Sequence, residues 1–132
     1  MTFHLQIVTP DGLAFEGQAE KLSVRTQDGI IGILPRHIDY VAPLGMGEAV
    51  ITVEGAERRA ACIGGMVAVT GGDVRLVATT FEWAEQIDLE RAKLAEQKAR
   101  ARLERKDLTE RELKLAEAKL NRALVRLSVG KK

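Results

Sequence analysis

Phe3-His4-Leu5-Gln6-Ile7 alternates apolar and polar side chains, the period of a strand with one buried face. Pro10-Asp11-Gly12 then supplies a turn, and Leu13–Phe15 is expected to return as a partner strand. Lys21–Arg25 alternates again and stops at Asp28-Gly29, a hairpin signal. Ala49–Val53 and Arg58–Ile63 flank Glu54-Gly55, and Met66–Val69 and Val74–Ala78 flank Thr70-Gly71-Gly72-Asp73. Gly45-Met46-Gly47 and Gly64-Gly65 read as turns or bulges. Short strands at this spacing with glycine turns predict an N-terminal β-sandwich.

From Ile87 to Val129 there is no glycine and no proline, and Ala, Leu, Glu, Lys and Arg dominate. Lys106-Asp107-Leu108-Thr109 interrupts the apolar pattern, and Thr109 with Glu112 makes a capping box. The pattern predicts one helix over 87–105, a second over 110–127, and an antiparallel C-terminal two-helix hairpin. The fold class is β plus α, with a sandwich domain over residues 1–85 and a hairpin domain over 86–132.

Projected at 100° per residue, the second helix puts Leu113, Ala116, Leu120, Ala123, Leu124 and Leu127 on one stripe, an ordinary packing seam. The first helix is less conventional. Ile87, Leu94, Ala95 and Ala99 define its less polar side, but Asp88, Arg91, Lys98 and Arg102 share that arc. Glu90, Lys93, Glu96, Gln97 and Arg100 already supply a solvent face. Cations on an inward side are costly unless an anion meets them. The alternative is an Asp88–Arg91 pair with the long stems reaching outward. Because the first helix offers alanines more than leucines, at ~0.8 kcal/mol per buried carbon, only a few kcal/mol would fasten the helices to the sandwich. A ligand at ~100 times its dissociation constant supplies about 2.7 kcal/mol, a comparable quantity and the condition for a switch.

Charge divides where the glycines stop. Residues 1–85 carry 6 Lys+Arg against 11 Asp+Glu, net −5, and residues 86–132 carry 14 against 8, net +6. The one cysteine, Cys62, excludes an internal disulfide and reads as a small buried hydrophobe. No run of ~18 apolar residues is present, and the amino terminus lacks a signal-peptide pattern, so a soluble, intracellular chain is expected. His4 and His37 are the only histidines, which argues against a zinc site. No phosphate loop, dinucleotide fingerprint or nucleophile–base–acid set can be assembled, so no catalytic residue and no metal ligand is assigned. Five scattered aromatics make a poor stacking platform, and no nucleic-acid partner is expected.

Val8-Thr9-Pro10-Asp11-Gly12, then Gly32-Ile33-Leu34-Pro35-Arg36-His37, then Val41-Ala42-Pro43-Leu44, followed by a basic helical hairpin, resemble the epsilon subunit of bacterial F-type ATP synthase. The resemblance covers essentially the whole chain in order. Asp39 stands where the family commonly has proline after the histidine motif. The resemblance implies a non-catalytic rotor subunit of the central stalk. The sandwich would bind the gamma subunit and the ring of c subunits, with His37 and its loop in the contact or, alternatively, His37 fixing its own loop. The helices would fold against the sandwich or extend toward the alpha and beta subunits, inhibiting ATP hydrolysis in the extended form. At ~27–30 Å per helix, an opened hairpin would reach ~60 Å. The chain would sit on the cytoplasmic face of the cell membrane, peripheral and held there only through the complex.

Some members of that family bind ATP through an Ile/Leu-Asp-x-x-Arg-Ala motif, which stands in this sequence as Ile87-Asp88-Leu89-Glu90-Arg91-Ala92, preceded by Glu82. Asn121-Arg122-Ala123 and Val125-Arg126-Leu127-Ser128 match its partner arginines. The resemblance implies that Arg91, Arg122 and Arg126 hold phosphates while Glu82, Ile87, Asp88 and Ala92 meet base and ribose. Lys98 takes a place where the pattern often has arginine, keeping the charge without the planar two-point grip. ATP would be a regulatory ligand, with no required cofactor. The competing reading is a free-standing nucleotide-sensing adaptor, which would not co-purify with a large membrane complex.

Overall fold

The computed structural model describes residues 1–131, and the chain divides into two compact units, Met1–Trp83 and a second beginning at Ala84. In the first unit, eight strands occur among the described residues: β1 (Phe3–Thr9), β2 (Gly12–Ala19), β3 (Lys21–Thr26), β4 (Gly29–Ile33), β5 (Tyr40–Pro43), β6 (Met46–Val53), β7 (Ala56–Thr70) and β8 (Asp73–Trp83). They run β2-β1-β8-β7-β6-β3-β4, with β5 also on β7. All pairs are antiparallel except β1 with β8.

The alternating segments bury the expected faces. Phe3, Leu5 and Ile7 of β1 point inward, as do Leu22 and Val24 of β3 and Val74 and Leu76 of β8. Each such side chain stabilises by about 1.5–3 kcal/mol when fully buried. They form one apolar core, which closes a β-sandwich. At the end of β8, the Arg58 guanidinium lies 3.7 Å over the Trp83 ring, and Phe81 meets that ring edge-on at 4.9 Å.

The segments read as Arg58–Ile63 and Met66–Val69 are halves of one 15-residue strand. The first half of β7 pairs with β6 and the second with β5, while β8 accompanies it from Ala60 to Thr70. Gly65, with φ 110°, lies at this change of partner, and a Cβ there would collide with the Val77 backbone. Glycine permits both the left-handed backbone and the close approach.

The second unit starts with a short 3₁₀ turn, Ala84–Gln86, followed by α1 (Leu89–Leu103) and α2 (Glu110–Gly130). The Thr109–Glu112 capping box forms as expected, the Thr109 hydroxyl accepting from Glu112 N at 3.1 Å. At 15 and 21 residues, the helices are about 22 and 31 Å long. The first is shorter than expected and the second longer.

Arg102 meets Glu112 at 3.6 Å near the connection. At the other end, Ile87 and Leu89 pack against Gly130, where a Cβ would lie 3.2 Å from Ile87 Cγ2. This arrangement establishes an antiparallel pair. The buried face of α1 is not the projected one. Ala92 and Ala99 are buried, with Glu96 and Leu103 half-buried, whereas Leu94 is 52% exposed and Ala95 is exposed. The seam lies roughly a quarter turn from the projected arc. On α2 the expected seam holds through Ala116, Ala123 and Leu127, with Leu113 and Leu124 at its exposed margins.

Candidate functional site

Arg91, Lys98 and Arg102 are exposed, so the expectation that they occupy an inward side is corrected. A different order replaces it. Arg91, Lys98, Arg122 and Arg126 each precede a buried seam residue by one position, namely Ala92, Ala99, Ala123 and Leu127. One residue is about 100° of helix, so all four lie at one offset from the seam. In an antiparallel pair of right-handed helices, equal offsets in each helix's own direction fall on the same side of the pair. The hairpin therefore carries one basic flank. Interpolation between the Arg102–Glu112 and Ile87–Gly130 approaches puts Arg91 level with the turn containing Arg122 and Arg126. Lys98 lies seven residues further along α1, about 10 Å away.

Arg122 and Arg126 are half-buried, and neither the Arg91 nor the Arg122 guanidinium has a hydrogen-bonded or ionic partner among the described residues. Two guanidiniums free at one level can grip an oxyanion by parallel N–H donation. Asp88 does not form the Arg91 ion pair offered as the alternative. It caps α1 instead, Oδ1 accepting from Arg91 N at 3.1 Å. That leaves Oδ2 to accept from a ligand hydroxyl. Ile87 and Ala92 are buried. Glu82 belongs to the first unit, on β8 opposite Ala61, and is half-buried.

At His37, Nδ1 donates to the carbonyl of Ile38 at 2.7 Å, and the ring meets Tyr40 edge-on at 5.9 Å. The side chain thus fixes its own loop and leaves Nε2 available. Asp39 ties that loop to the β7–β8 turn, its Oδ1 accepting from Gly71 N at 2.9 Å. Burial pushes the Cys62 thiol up to about 12, consistent with an inert core residue.

One surface feature has no counterpart in the linear pattern. Pro43 pairs with Met66, Met66 with Val77, Val77 with Val8, and Val8 with Leu13. Paired residues share a sheet face, so five apolar side chains cross β5-β7-β8-β1-β2 in a continuous row. Leu13 is 56% exposed, and Met66 and Val77 are each 44% exposed. Val41, also exposed, extends the row along β5. Contiguous apolar surface of this kind marks a partner interface. Only strand register reveals it, since its members are scattered from residue 8 to residue 77.

Residues 2–84 match the family model described as ATP synthase, Delta/Epsilon chain, beta-sandwich domain, and residues 85–131 match that family's long alpha-helix domain. The ATP synthase epsilon chain of Shouchella clausii is 40% identical over 130 residues, covering 98% of this chain and 96% of its own. That of Caldicellulosiruptor bescii is 38% identical over 128 residues, covering 97% and 93%. In fold, the chain resembles one in the Euglena gracilis mitochondrial ATP synthase OSCP/F1/c-ring structure, with TM-score 0.86 at 22% identity over 99% of this chain and 82% of that one. It also resembles one in the Tetrahymena thermophila mitochondrial ATP synthase central stalk and c-ring, with TM-score 0.64 at 13% identity over 96% and 95%. On full-length identity and both family models, this chain belongs to the ATP synthase epsilon-chain family, as a non-catalytic subunit of the synthase.

Proposed function

We propose that the chain is a central-stalk rotor subunit whose sandwich couples the catalytic head to the c-ring through the gamma subunit. The single observation carrying this reading is the exposed apolar row across β5-β7-β8-β1-β2. A stalk subunit needs one broad face that stays docked while torque passes, and burying this row supplies that without unfolding the core. The loop around His37 is the proposed contact to the c-ring. No helix of the described residues is long and apolar enough to cross a membrane. Peripheral attachment at the cytoplasmic face, through the complex, follows from this assignment.

The hairpin is proposed as a brake on ATP hydrolysis. Within α1 the seam buries only the methyls of Ala92 and Ala99, worth roughly 1.6 kcal/mol together, while Ile87, Leu127 and Val129 add to the fastening. With so few large side chains contributed by α1, the two helices can part and extend toward the alpha and beta subunits, whose acidic surface would meet the +6 arm. ATP favours the closed posture when Arg91, Arg122 and Arg126 hold its phosphates, Lys98 approaches the end of the chain of phosphates, and Oδ2 of Asp88 accepts from the ribose. Ile87 and Ala92 would flank the base and sugar. ATP acts here as a regulatory ligand, with no chemistry performed on it.

Reconstitution with the gamma subunit tests the docking assignment. Val77→Asp places a carboxylate at the centre of the row, where desolvating it costs several kcal/mol. The variant is expected to fold as the parent does and to lose gamma binding by at least about 100-fold. Parental binding by a folded Val77→Asp chain would remove the row from the interface.

A further inference from the structure

The apolar row is one band of a sheet face that is ordered along its strands. On one side of the row, the ends of β1 and β8 border a shallow notch of about 310 Å³, lined by Val8, Pro10, Gly65, Val77, Ala78 and Thr79. Thr9 also reaches the notch, but its hydroxyl donates to Gly12 O and accepts from Asp11 N, each at 3.1 Å. Apart from the Thr79 hydroxyl, the notch therefore offers a partner apolar surface. On the other side, Val41 pairs with Ala68, Ala68 with Arg75, Arg75 with Gln6, and Gln6 with Glu16, so a second row runs beside the first. Two residues of strand separate the rows, about 7 Å. Arg75 stands in the middle of the second row, on a strand with neighbours on both sides. Its side chain is exposed and has no hydrogen-bonded or ionic partner among the described residues. Asp73, two residues away on the same face, does not pair with it, and Glu16 is held by His4 at 3.2 Å.

We propose that the gamma surface docking on this face places a large apolar side chain in the notch and a carboxylate on Arg75. The inference rests on the docking assignment above, and adds what the partner presents and in which direction it lies. A specific interface buries on the order of 800 Å² per partner. One row across five strands, at ~4.8 Å spacing and ~7 Å of strand, covers only roughly 170 Å². The footprint therefore extends beyond the row along the strands, and Arg75 falls inside it. A guanidinium stripped of water without an anion is strongly unfavourable, so the partner supplies one. The planar fork of N–H donors fits a carboxylate at two points. Asp73, one row further on, repels that carboxylate if the partner slides along the strands, so the two charges fix the register. Thr79 and Arg75 are four residues apart on β8, so the partner's apolar anchor and its acid sit about 13 Å apart. An apolar side chain filling a desolvated notch is the usual form of an interface anchor.

Calorimetric titration of the full chain with the gamma subunit of its own synthase tests this, with Tm as the check on folding. Arg75→Met keeps the stem and removes the charge, and is expected to weaken binding about 30-fold or more, as when one partner of a buried charge pair is truncated. Arg75→Gln repeats the test with a polar side chain, in case methionine packs onto the apolar row. Thr79→Trp fills the notch from an outward position and should weaken binding at least about 10-fold. Against Arg75→Glu, a set of gamma variants with one exposed Asp or Glu at a time changed to Lys should contain one that restores binding. Parental affinity in folded Arg75→Met and Arg75→Gln, with binding lost in Val77→Asp, would overturn the carboxylate contact and leave the docking face intact. Parental affinity in the Arg75 variants and in Val77→Asp alike would remove the docking assignment itself. Parental affinity in folded Thr79→Trp would overturn the apolar anchor.

Discussion

Asp88 joins two roles that one substitution can separate. Its carboxylate caps α1 through Arg91 N, and its second oxygen is proposed to accept from a bound ribose. Asp88→Ala removes both. Loss of an N-cap costs about 1 kcal/mol, which is more than half of the roughly 1.6 kcal/mol contributed by the Ala92 and Ala99 methyls. Hydrogen exchange of the first-turn amides of α1 should accelerate about fivefold, while strands of the sandwich keep their protection. Asp88→Ser retains the cap, so its exchange should match the parent. It loses the carboxylate, so ATP affinity measured by calorimetry should still fall about 10-fold or more. Parental exchange in Asp88→Ala would refute the capping energetics. Parental ATP affinity in Asp88→Ser would remove Asp88 from the ligand contacts.

Gly65→Ala should destabilise the sandwich by about 3 kcal/mol or more in urea unfolding, since its φ is 110° and the new Cβ meets the Val77 backbone. The same change at Gly71, where a Cβ meets nothing within 4 Å, should cost much less. Cys62 makes stability fall in alkali. Its thiol ionises near 9 when unfolded and about 12 when folded, so between those values the unfolded chain has lost a proton that the folded chain keeps. Unfolding free energy should decline by up to about 1.4 kcal/mol per pH unit across that window, and Cys62→Ala should flatten the decline.

Much of this architecture is legible in one dimension. The alternation of Phe3–Ile7 and Lys21–Arg25 places the correct side chains inside, because a half-buried strand has period two. The capping box marks the start of α2 to the residue. The limits are equally physical. β4 and β5 give no clear signal in the sequence; β4 is a glycine-containing edge strand, and β5 is four residues long. Gly64-Gly65 signals an irregularity, but only pairing shows that β7 continues through it while exchanging β6 for β5. On α1, Leu94 draws a hydrophobicity projection toward itself, although the helices meet through Ala92 and Ala99. Small side chains that allow close approach carry little weight in such a projection. The candidate cations are identifiable in sequence, yet their common offset from the seam depends on knowing which alanines are buried. The apolar row is illegible for a related reason: alternation identifies inward residues, and this surface is assembled from outward ones.

The sharpest test of a detachable brake is the rate of ATP hydrolysis by the assembled synthase with this chain cut after Trp83. The account predicts that the shortened chain remains in the complex, since the apolar row is intact, and that hydrolysis rises above that of the complex with the full chain. An unchanged rate in a fully assembled complex would make the hairpin a structural appendage and contradict the inhibitory role.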